Sequence, residues 1–572
     1  PKGLLYGVRA MDLWLYDRDP MQALKYIDDI KELRNNLDKG YFENLLLKYV
    51  IKNTHQVLIT MKPERGLTEK KNKETAEKLA AFKSSLSHEQ LEEIVESTKA
   101  LKERQASMET EGALKTIPLL SRKDLKREIE DDSLIEEDLN GIRHFHYEVN
   151  TMGITYLNIF FTLYGLKEED IPYANLLTSI LCSMNTDKHS YAELSRLSNA
   201  YTGGLGFNVS AYSRYDNSAD YTPVFAIRGK ALTSNVDKLM GLIGEVLCHT
   251  SFEDTARLRE ILLQEKSEWD MSVFSRGSSL VMTRLSSYFS KAGAFAEQLA
   301  LSYYYFLSDL VRDFDANSDE IVRRLAEVAK IIFAKSNLFI ETIGESGEVS
   351  AVKDHLYEIA DDLPDGNVYQ KHTFDFAEGN KNEAFLTSGK VQYVGEGGDF
   401  RKYGFNYTGA LRVMETILRY EYLWKKVRVQ GGAYGAFTQF LSDGTAILCS
   451  YRDPNLKQTL ETYKNLPEYI RTLELSDREM TKYVIGTMAA DEIQLTPSMK
   501  GERAMLHYLN GNSVENRRKV NDEIVNCTVE DIRKLAPLLQ SVIDHSSICV
   551  MGNEEKIHQD ADVFDKILSL PD

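Results

Sequence analysis

The amino-acid sequence predicts an α+β protein in which two related domains follow a helical region. Three observations lead to this prediction: a Lys/Glu-rich, proline-free stretch near the N-terminus, helical and extended patterns grouped in runs, and a repeated order of elements. Grouped elements favour antiparallel sheets with helices packed on one face. The length agrees, because 572 residues correspond to roughly three to four domains of 100–200 residues each.

Residues 1–132 are predicted to form a helical linker and hairpin region. Two helices come first, and Gln56–Met61 has the composition of a short strand. The Lys/Glu-rich residues 68–108 predict two further helices in a long hairpin, because Ser87 and Gln90 fit a capping box at the start of the second helix. The remaining residues up to 132 are predicted to be a linker.

The chain after residue 132 contains the same series of elements twice. The predicted elements of the first copy are helices 173–182 and 191–200, a glycine pair, strands 207–212 and 223–228, helix 235–248 and a long helix after residue 254. Those of the second copy are helix 409–423, a glycine pair, strands 436–440 and 445–451, helix 457–473 and a helix from residue 477. Because equivalent elements lie at a nearly constant separation, we predict two homologous domains, residues 133–362 and 363–572.

Charge and hydropathy limit the classes of partner. Asp and Glu total 87 against 69 Lys and Arg, a formal net charge of −18, which repels phosphate backbones and excludes nucleic acid as an expected partner. The same negative charge would attract basic peptides, although an acidic surface also commonly serves to keep a protein soluble. No run of about 18 apolar residues occurs, so no membrane partner is predicted.

The cysteines indicate the compartment. Five cysteines are far apart, and no two have CxxC spacing: Cys182, Cys248, Cys449, Cys527 and Cys549. Neither a structural zinc site nor a disulfide framework is indicated. We interpret them as buried free thiols in a reducing compartment and predict a cytoplasmic protein.

One candidate metal site lies in a predicted strand. His144, His146 and Glu148 are alternate residues, so their side chains share one face and could converge on a metal. The favoured alternative is that Phe145, Tyr147 and Val149 face the core and the three polar residues face solvent or a neighbouring domain, because no further ligand with short spacing is nearby. The sequence also lacks HExxH, HxxEH, GxSxG and P-loop motifs.

The most distinctive stretch runs from Leu423 to Phe437. A helix end delivers Arg428, two glycines allow a tight reversal, and Tyr434 leads into the next strand. Both side chains could donate hydrogen bonds to the carbonyls of an extended ligand. The alternative is that Arg428 is a surface residue and Tyr434 a core aromatic.

A family resemblance rests on this stretch and on others of similar order along nearly the whole chain. The run Trp424–Phe437 resembles the Arg-plus-Tyr segment in the last domain of pitrilysin/insulinase-type zinc peptidases. Further segments resemble the helical linker and third domain of the presequence-protease branch: Trp14–Pro20, Asn53–Val57, Asn150–Tyr156, Tyr191–Leu194 and Gly203-Gly204.

The resemblance implies an architecture. That family's enzymes have four homologous α+β domains in two halves, which close around an unfolded peptide, and a zinc-binding HxxEH motif on a helix of the first domain. Residues 1–132 would then belong to the linker, and residues 133–362 and 363–572 would be the third and fourth domains. The helix 173–182, equivalent to the zinc-binding helix, has a face of Leu176, Leu177, Ile180 and Leu181 and no metal ligand.

The resemblance also implies a function. Arg428 would hold the peptide backbone near the scissile bond, and Tyr434 would hydrogen-bond the carbonyl oxygen as it becomes an oxyanion. Zinc is the cofactor expected in the complete enzyme, with none bound to this chain and no complete catalytic set within it. We therefore expect the C-terminal, substrate-enclosing half of a zinc metalloendopeptidase, inactive alone.

The expected partners are the HxxEH-bearing half, in the same polypeptide or as a separate subunit, and unstructured oligopeptides, with basic ones suited by charge. The alternative function is a non-catalytic scaffold or peptide-binding module of the same fold.

Overall fold

The computed structural model describes residues 2–62, 64, 66–107, 109–118, 120–125, 128–369, 374, 376 and 381–571. The chain divides into two compact units, residues 1–119 and 120–572. The first unit contains α1 (Lys2–Trp14), α2 (Ile27–Asn36), α3 (Tyr41–Leu46), α4 (Leu67–Ser85), α5 (His88–Ala106) and α6 (Glu111–Lys115). A π-helical turn, Leu47–Ile51, continues α3.

The two helices of the predicted hairpin are confirmed as α4 and α5. Ser87 accepts a hydrogen bond from the Gln90 backbone N–H, and the Gln90 side chain accepts one from the Ser87 N–H, which forms the predicted capping box. The predicted hairpin end at Met108 lies outside the described residues. The predicted strand Gln56–Met61 does not form in this chain, because a strand needs a neighbour and no described strand of the first unit pairs with it.

The second unit begins with the first of the two copies. Its elements are β1 (Ile135–Leu139), β2 (Ile142–Glu148), β3 (Ile154–Thr162), α7 (Ile171–Ile180), α8 (Tyr191–Tyr201), β4 (Leu205–Arg214), β5 (Asn217–Leu232), α9 (Val236–His249), α10 (Thr255–Ser272), α11 (Gly277–Ser286), α12 (Lys291–Glu297), α13 (Leu301–Arg312), α14 (Phe314–Ile332), β6 (Leu338–Gly344), α15 (Ser346–Asp354) and α16 (Tyr357–Ala360).

The second copy follows after a connection. Its elements are β7 (Asn382–Thr387), β8 (Tyr393–Asp399), α17 (Gly409–Ile417), β9 (Gly435–Phe440), β10 (Thr445–Tyr451), α18 (Lys457–Lys464), α19 (Leu466–Arg471), α20 (Asp477–Asp491), α21 (Pro497–Asn510), α22 (Val514–Asn526), α23 (Val529–Arg533), α24 (Ala536–Asp544), β11 (Ser547–Asn553), α25 (Glu554–Gln559) and β12 (Lys566–Ser569). Helix α17 continues as π-helical turns over Leu418–Gln430.

The two sheets have the same topology, which supports the repeat read from the sequence. The first sheet has the strand order β1-β2-β6-β3-β5-β4, and the second has the order β12-β7-β11-β8-β10-β9. The edge strands β1 and β12 differ between the two sheets. The five strands that follow them correspond one to one, in the order β2 to β7, β6 to β11, β3 to β8, β5 to β10 and β4 to β9. The α+β class is therefore confirmed, whereas the limits 133–362 and 363–572 stay a prediction.

Two details differ from the expectation of antiparallel sheets with helices on one face. Strand β6 is parallel to β2, and β11 and β12 are parallel to β7, because the last strand returns across the sheet after a run of helices. Both faces of each sheet also carry helices. Helix α21 packs against β4, β5 and β6 of the first sheet, and α11 packs against β8, β10 and β11 of the second.

Three apolar cores follow from this layering. The largest joins one face of the first sheet, with Ile159 and Phe225, to one face of the second, with Ile447. A second core lies on the other face of the second sheet under α17 and α18–α20. A small third core lies between the first sheet and α21 and includes Phe160 and Met505.

Candidate functional site

The Arg428–Tyr434 turn connects the π-helical turns to the edge strand β9. Its backbone is held by hydrogen bonds from the Gly432 N–H to the Arg428 carbonyl at 2.9 Å and from the Ala433 N–H to the Val427 carbonyl at 3.1 Å. Gly432 has φ +83°, a conformation that favours glycine. The buried side chains of Val427 and Ala433 anchor the turn in the core, so the glycine pair allows the reversal that the sequence predicts.

The sheet then fixes the far end of the turn. The Tyr434 N–H donates to the Tyr451 carbonyl at 3.1 Å, and Gly435 is opposite Tyr451 in the β9–β10 pairing. The Asn455 side-chain amide donates to the Gly431 carbonyl at 2.6 Å. The turn is therefore supported from both of its neighbouring elements and presents its side chains from a rigid base.

The side chains of the turn form a stack. The Arg428 guanidinium carbon lies 3.9 Å from the centre of the Trp424 ring and 5.5 Å from the centre of the Tyr434 ring. Tyr434 in turn meets the edge of Tyr451, with ring centres 5.8 Å apart. Stacking on aromatic faces orients the planar guanidinium while leaving its N–H groups free to donate.

The polar ends of this stack are available to a ligand. Tyr434 is 66% exposed and Trp424 is 43% exposed, while Arg428 is half-buried. No hydrogen bond or ion pair within the described chain engages the Arg428 guanidinium or the Tyr434 hydroxyl. The alternative that Tyr434 is a core aromatic is therefore wrong, and the stack offers a cation and a phenolic donor side by side.

The candidate metal site in β2 is not assembled. His144 is fully buried, with Nδ1 2.7 Å from Glu137 Oε1 and Nε2 2.9 Å from Thr342 Oγ1. His146 Nε2 lies 3.0 Å from the Gly344 carbonyl oxygen and is thus a donor. Glu148 is exposed at the strand end, while both ring nitrogens of His144 and Nε2 of His146 make hydrogen bonds within the fold.

The alternative interpretation of this strand, with an apolar face in the core and a polar face towards solvent or a neighbouring domain, can be compared with the burial of its residues. Phe145 faces the small third core, as expected, but His144 does not face solvent. The reason is that β2 is covered on both faces, which a sequence pattern of alternating residues does not reveal. Burial lowers the pKa of His144, which fits a neutral histidine bridging β1 and β6.

The residues present do not fit a zinc ion. Among the described residues, no group of three or more His, Cys, Asp or Glu side chains has an arrangement that could hold a metal. On α7, the predicted apolar face is confirmed, because Leu176, Leu177 and Ile180 are completely buried.

A cavity of about 970 Å³ opens near the other end of β9, between α20, α21 and α22. Several of the charged side chains that line it form ion pairs within the fold. Asp132 accepts hydrogen bonds from His507 at 3.0 Å and Arg517 at 2.5 Å, and Arg412 donates to Asp491 at 2.6 Å. The cavity thus combines these ion pairs with three buried polar atoms that have no hydrogen-bond partner in the described structure, which are Arg503 Nε, Arg517 Nε and Asn512 Oδ1. The Arg428–Tyr434 turn instead presents a guanidinium and a phenol hydroxyl that take part in no hydrogen bond or ion pair within the described chain.

Sequence reasoning missed three supports of the turn. Trp424 precedes Arg428 by four residues, which is a helical neighbour spacing and was a usable signal. Tyr451 and Asn455 had no such signal, because only the pairing of β9 with β10 brings them to the turn.

All five cysteines are free. Burial raises the pKa of Cys182 to about 12 and that of Cys248 to about 11. Since a thiolate is the reactive form of cysteine, the raised pKa values keep these two thiols in their protonated, less reactive form at neutral pH. None of the described helices has the length and apolar character needed to cross a membrane.

Two family descriptions match this chain. A domain associated with subfamily C of the M16 peptidases matches residues 61–310, and the "PreP C-terminal domain" matches residues 382–554. Protein HypA of Clostridium perfringens is 37% identical over 571 residues, covering 100% of this chain and 58% of that protein. Presequence protease 1, chloroplastic/mitochondrial, of Arabidopsis thaliana is 27% identical over 563 residues, covering 97% of this chain and 52% of that protein. The chain thus spans about half the length of the curated relatives it matches.

Solved structures agree on the fold. A peptidase M16 inactive domain from Pseudomonas fluorescens has a TM-score of 0.53 and 13% identity, covering 74% of this chain and 98% of that one. A conserved protein from Enterococcus faecalis has a TM-score of 0.54 at 14% identity, covering 74% of this chain and 99% of that one. At such identities the likeness concerns the fold alone.

Proposed function

Because the chain belongs to the presequence-protease branch of the M16 peptidases and corresponds to the C-terminal half of such an enzyme, we propose that it encloses and positions the substrate of a zinc-dependent oligopeptidase. The substrate class is an unstructured oligopeptide. The observation that carries the proposal is the rigid Arg428–Tyr434 turn, whose donors have no partner within the described chain. A net charge of −18 favours basic peptides.

Arg428 and Tyr434 have complementary tasks in this proposal. The Arg428 guanidinium, oriented by Trp424 at 3.9 Å, donates hydrogen bonds to backbone carbonyls of an extended peptide. The Tyr434 hydroxyl donates to the carbonyl oxygen of the scissile bond, where negative charge develops during hydrolysis. A donor placed at that position stabilises the transition state more than the substrate, so its effect is on turnover.

Zinc belongs to the complete enzyme in this proposal. The described residues offer no set of ligands for it, so the zinc-binding HxxEH motif is expected on the other half, in the same polypeptide or as a separate subunit. The chain alone is accordingly predicted to be inactive. A cytoplasmic location remains a prediction from the free cysteines, and the Arabidopsis thaliana relative is named as chloroplastic/mitochondrial.

The test is peptide cleavage by Tyr434→Phe. The chain is joined to the part of the Clostridium perfringens relative that lies outside the match, and cleavage of a quenched, unstructured basic peptide is followed with and without a zinc chelator. Removing the hydroxyl should lower kcat by about 10²–10³-fold with little change in KM, because one oxyanion donor is lost. Cleavage by the wild-type protein should disappear with the chelator.

Tyr420→Phe is the matched control, because Tyr420 lies on the same π-helical turns and is also exposed, at 55%. It should cleave as the wild type does. Equal activity of the wild type and Tyr434→Phe would reject the proposed role and favour the alternative, a non-catalytic scaffold or peptide-binding module. Chelator-sensitive cleavage by the chain alone would contradict the expectation that it is inactive.

A further inference from the structure

The segment Gln56–Met61 has the pattern of an inner β-strand but no strand partner among the described residues. Its large apolar side chains are almost completely exposed, at 79% for Val57, 94% for Leu58, 79% for Ile59 and 91% for Met61. Such a nearly continuous apolar run is typical of strands that are buried on both faces. So many exposed apolar side chains in one short segment mark an interaction surface rather than ordinary surface variation.

The two copies show where such a segment belongs. In the first copy, α14 ends at Ile332 and the last strand, β6, begins at Leu338. In the second, α24 ends at Asp544 and β11 begins at Ser547. In the first unit, the π-helical turn ends at Ile51 and the segment begins five residues later. The same order of helix, short connection and apolar strand therefore occurs three times.

The three occurrences differ in how deeply the apolar strand or segment is buried. All seven residues of β6 are buried, as are five of the seven residues of β11. Each of these strands lies between two others. Strand β6 is parallel to β2 and antiparallel to β3, and β11 is parallel to β7 and antiparallel to β8. The Gln56–Met61 segment has the same character but lacks the two neighbours.

The helices before the segment are exposed in the same way. In the copies, the preceding helix buries an apolar face, for example Ile321 and Leu325 of α14 or Leu538 and Leu539 of α24. Helix α3 and the π-helical turn that continues it instead expose Phe42, Leu46, Tyr49, Val50 and Ile51. Helix α1, further upstream, exposes Leu4, Leu5, Val8 and Trp14 in the same way. An uncovered strand together with uncovered helices indicates that a whole sheet is the missing partner.

We infer that Gln56–Met61 inserts as the inner last strand into the sheet of a further α+β domain of this fold, carried by the HxxEH-bearing half. The segment would lie between two strands of that domain, parallel to the one that corresponds to β2 and β7 and antiparallel to the one that corresponds to β3 and β8. The inference rests on the proposed function, because it takes that half as the partner. The length of the curated relatives beyond this chain supplies room for such a domain.

Hydrogen exchange tests the pairing directly. The purified chain is mixed with the part of the Clostridium perfringens relative that lies outside the match, and amide exchange in residues 56–61 is followed. An inner strand pairs along both edges, so successive amides should all become protected. Protection of alternate amides only, as for an edge strand, would overturn the inference, and so would an unchanged exchange rate or the absence of association.

A pair of variants at one position completes the test. Leu58→Asp should weaken association by about 100-fold or more, because a charge would be buried without a partner, whereas Leu58→Ile should bind as the wild type does. Since Leu58 is 94% exposed, neither change should alter the thermal melting of the chain alone. Equal binding by both variants would contradict the inference.

The result is separable from that of the proposed function. Tyr434-dependent cleavage without protection of residues 56–61 would reject the docking and retain the function. Full protection of residues 56–61 combined with equal activity of the wild type and Tyr434→Phe would retain the docking and reject the proposed role of Tyr434.

Discussion

At the residue scale, Glu341 shows how strongly the interior of the first sheet acts on a single side chain. This carboxyl is completely buried in β6 and accepts a hydrogen bond from the Asn158 amide at 2.7 Å. Its other oxygen has no partner in the described structure. Burial raises the pKa of Glu341 to about 7, so the folded chain holds a proton that the unfolded chain releases more easily.

The sign of the effect on stability follows from this difference. Between about pH 4.5 and 7 the unfolded state loses its Glu341 proton while the folded state keeps it, so the free energy of unfolding falls as pH rises. Glu341→Gln removes the titration. We expect the variant to exceed the wild type by about 1–3 kcal/mol at pH 8, since one pKa unit equals about 1.4 kcal/mol, with a smaller difference at pH 5.

Urea unfolding at both pH values measures this difference. Glu555→Gln is the control, because Glu555 is exposed on α25 and should leave the pH profile unchanged. Parallel profiles for the wild type and Glu341→Gln would contradict the prediction.

At the element scale, one glycine controls how closely α21 approaches the first sheet. A methyl group added at Gly501 would lie 2.3 Å from Ile343 Cγ1 and 2.4 Å from its Cδ1. These distances are far below van der Waals contact, so a larger residue requires either the buried Ile343 side chain or the helix itself to move. In α20, a methyl group at Gly486 would meet only Thr416 Cγ2, at 3.8 Å.

The two glycines form a matched pair for mutation. Gly486→Ala should raise the free energy of unfolding by about 0.5–1 kcal/mol, because alanine has the better helix propensity. Gly501→Ala should lower it by about 1–2 kcal/mol, because overpacking costs about 1–3 kcal/mol and exceeds the propensity gain. Urea midpoints of both variants measure this. Equal shifts in the same direction would show that α21 does not pack as closely as described.

Elements were predicted well where the sequence pattern and the tertiary surroundings agree. The strand Thr445–Tyr451 has the predicted limits, and α5 begins after the predicted Ser87 cap. The predicted helix 457–473 is divided into α18 and α19, with Pro467 in the first turn of α19. The predicted strand Gln56–Met61 did not form, because pairing depends on a neighbour and not on propensity alone.

At the scale of the whole molecule, the two copies are interlocked. Helix α11 of the first copy packs on the second sheet, and α21 of the second copy packs on the first sheet. Arg284 of α11 donates to Glu383 of β7 at 2.8 Å, and the Tyr288 hydroxyl donates to the same carboxylate at 2.6 Å. Each sheet thus depends on a helix from the other half of the repeat.

This exchange predicts that neither copy folds alone. Residues 120–362 and 363–572, expressed separately, should lack a cooperative thermal transition and native near-ultraviolet circular dichroism, because each lacks the helix that covers its sheet. Mixing the two fragments should restore both signals. A sharp transition in either fragment alone would contradict the prediction.

Some features of the candidate site follow from residues close together in the sequence, whereas others depend on residues that are far apart in the chain. Arg428 and Tyr434 could be chosen from the sequence, because they flank a glycine pair between a helical and an extended pattern. The exposure of Tyr434 and the orientation of Arg428 could not, because they depend on the aromatic rings of Trp424 and Tyr451. Tyr451 reaches the turn only through the pairing of β10 with β9.

The sequence by itself determined the α+β class, the repeat and the residues of the turn, because periodicity, caps and glycine positions act over a few neighbouring residues. Only the tertiary structure decided the parallel placement of β6 and β11, the burial of His144 and the exchange of α11 and α21. Those features depend on which apolar surfaces, distant from each other in the chain, pack together and are removed from water. The free energy gained by this burial arises from contacts between elements that are far apart in the chain, so neighbouring residues in the sequence do not reveal it.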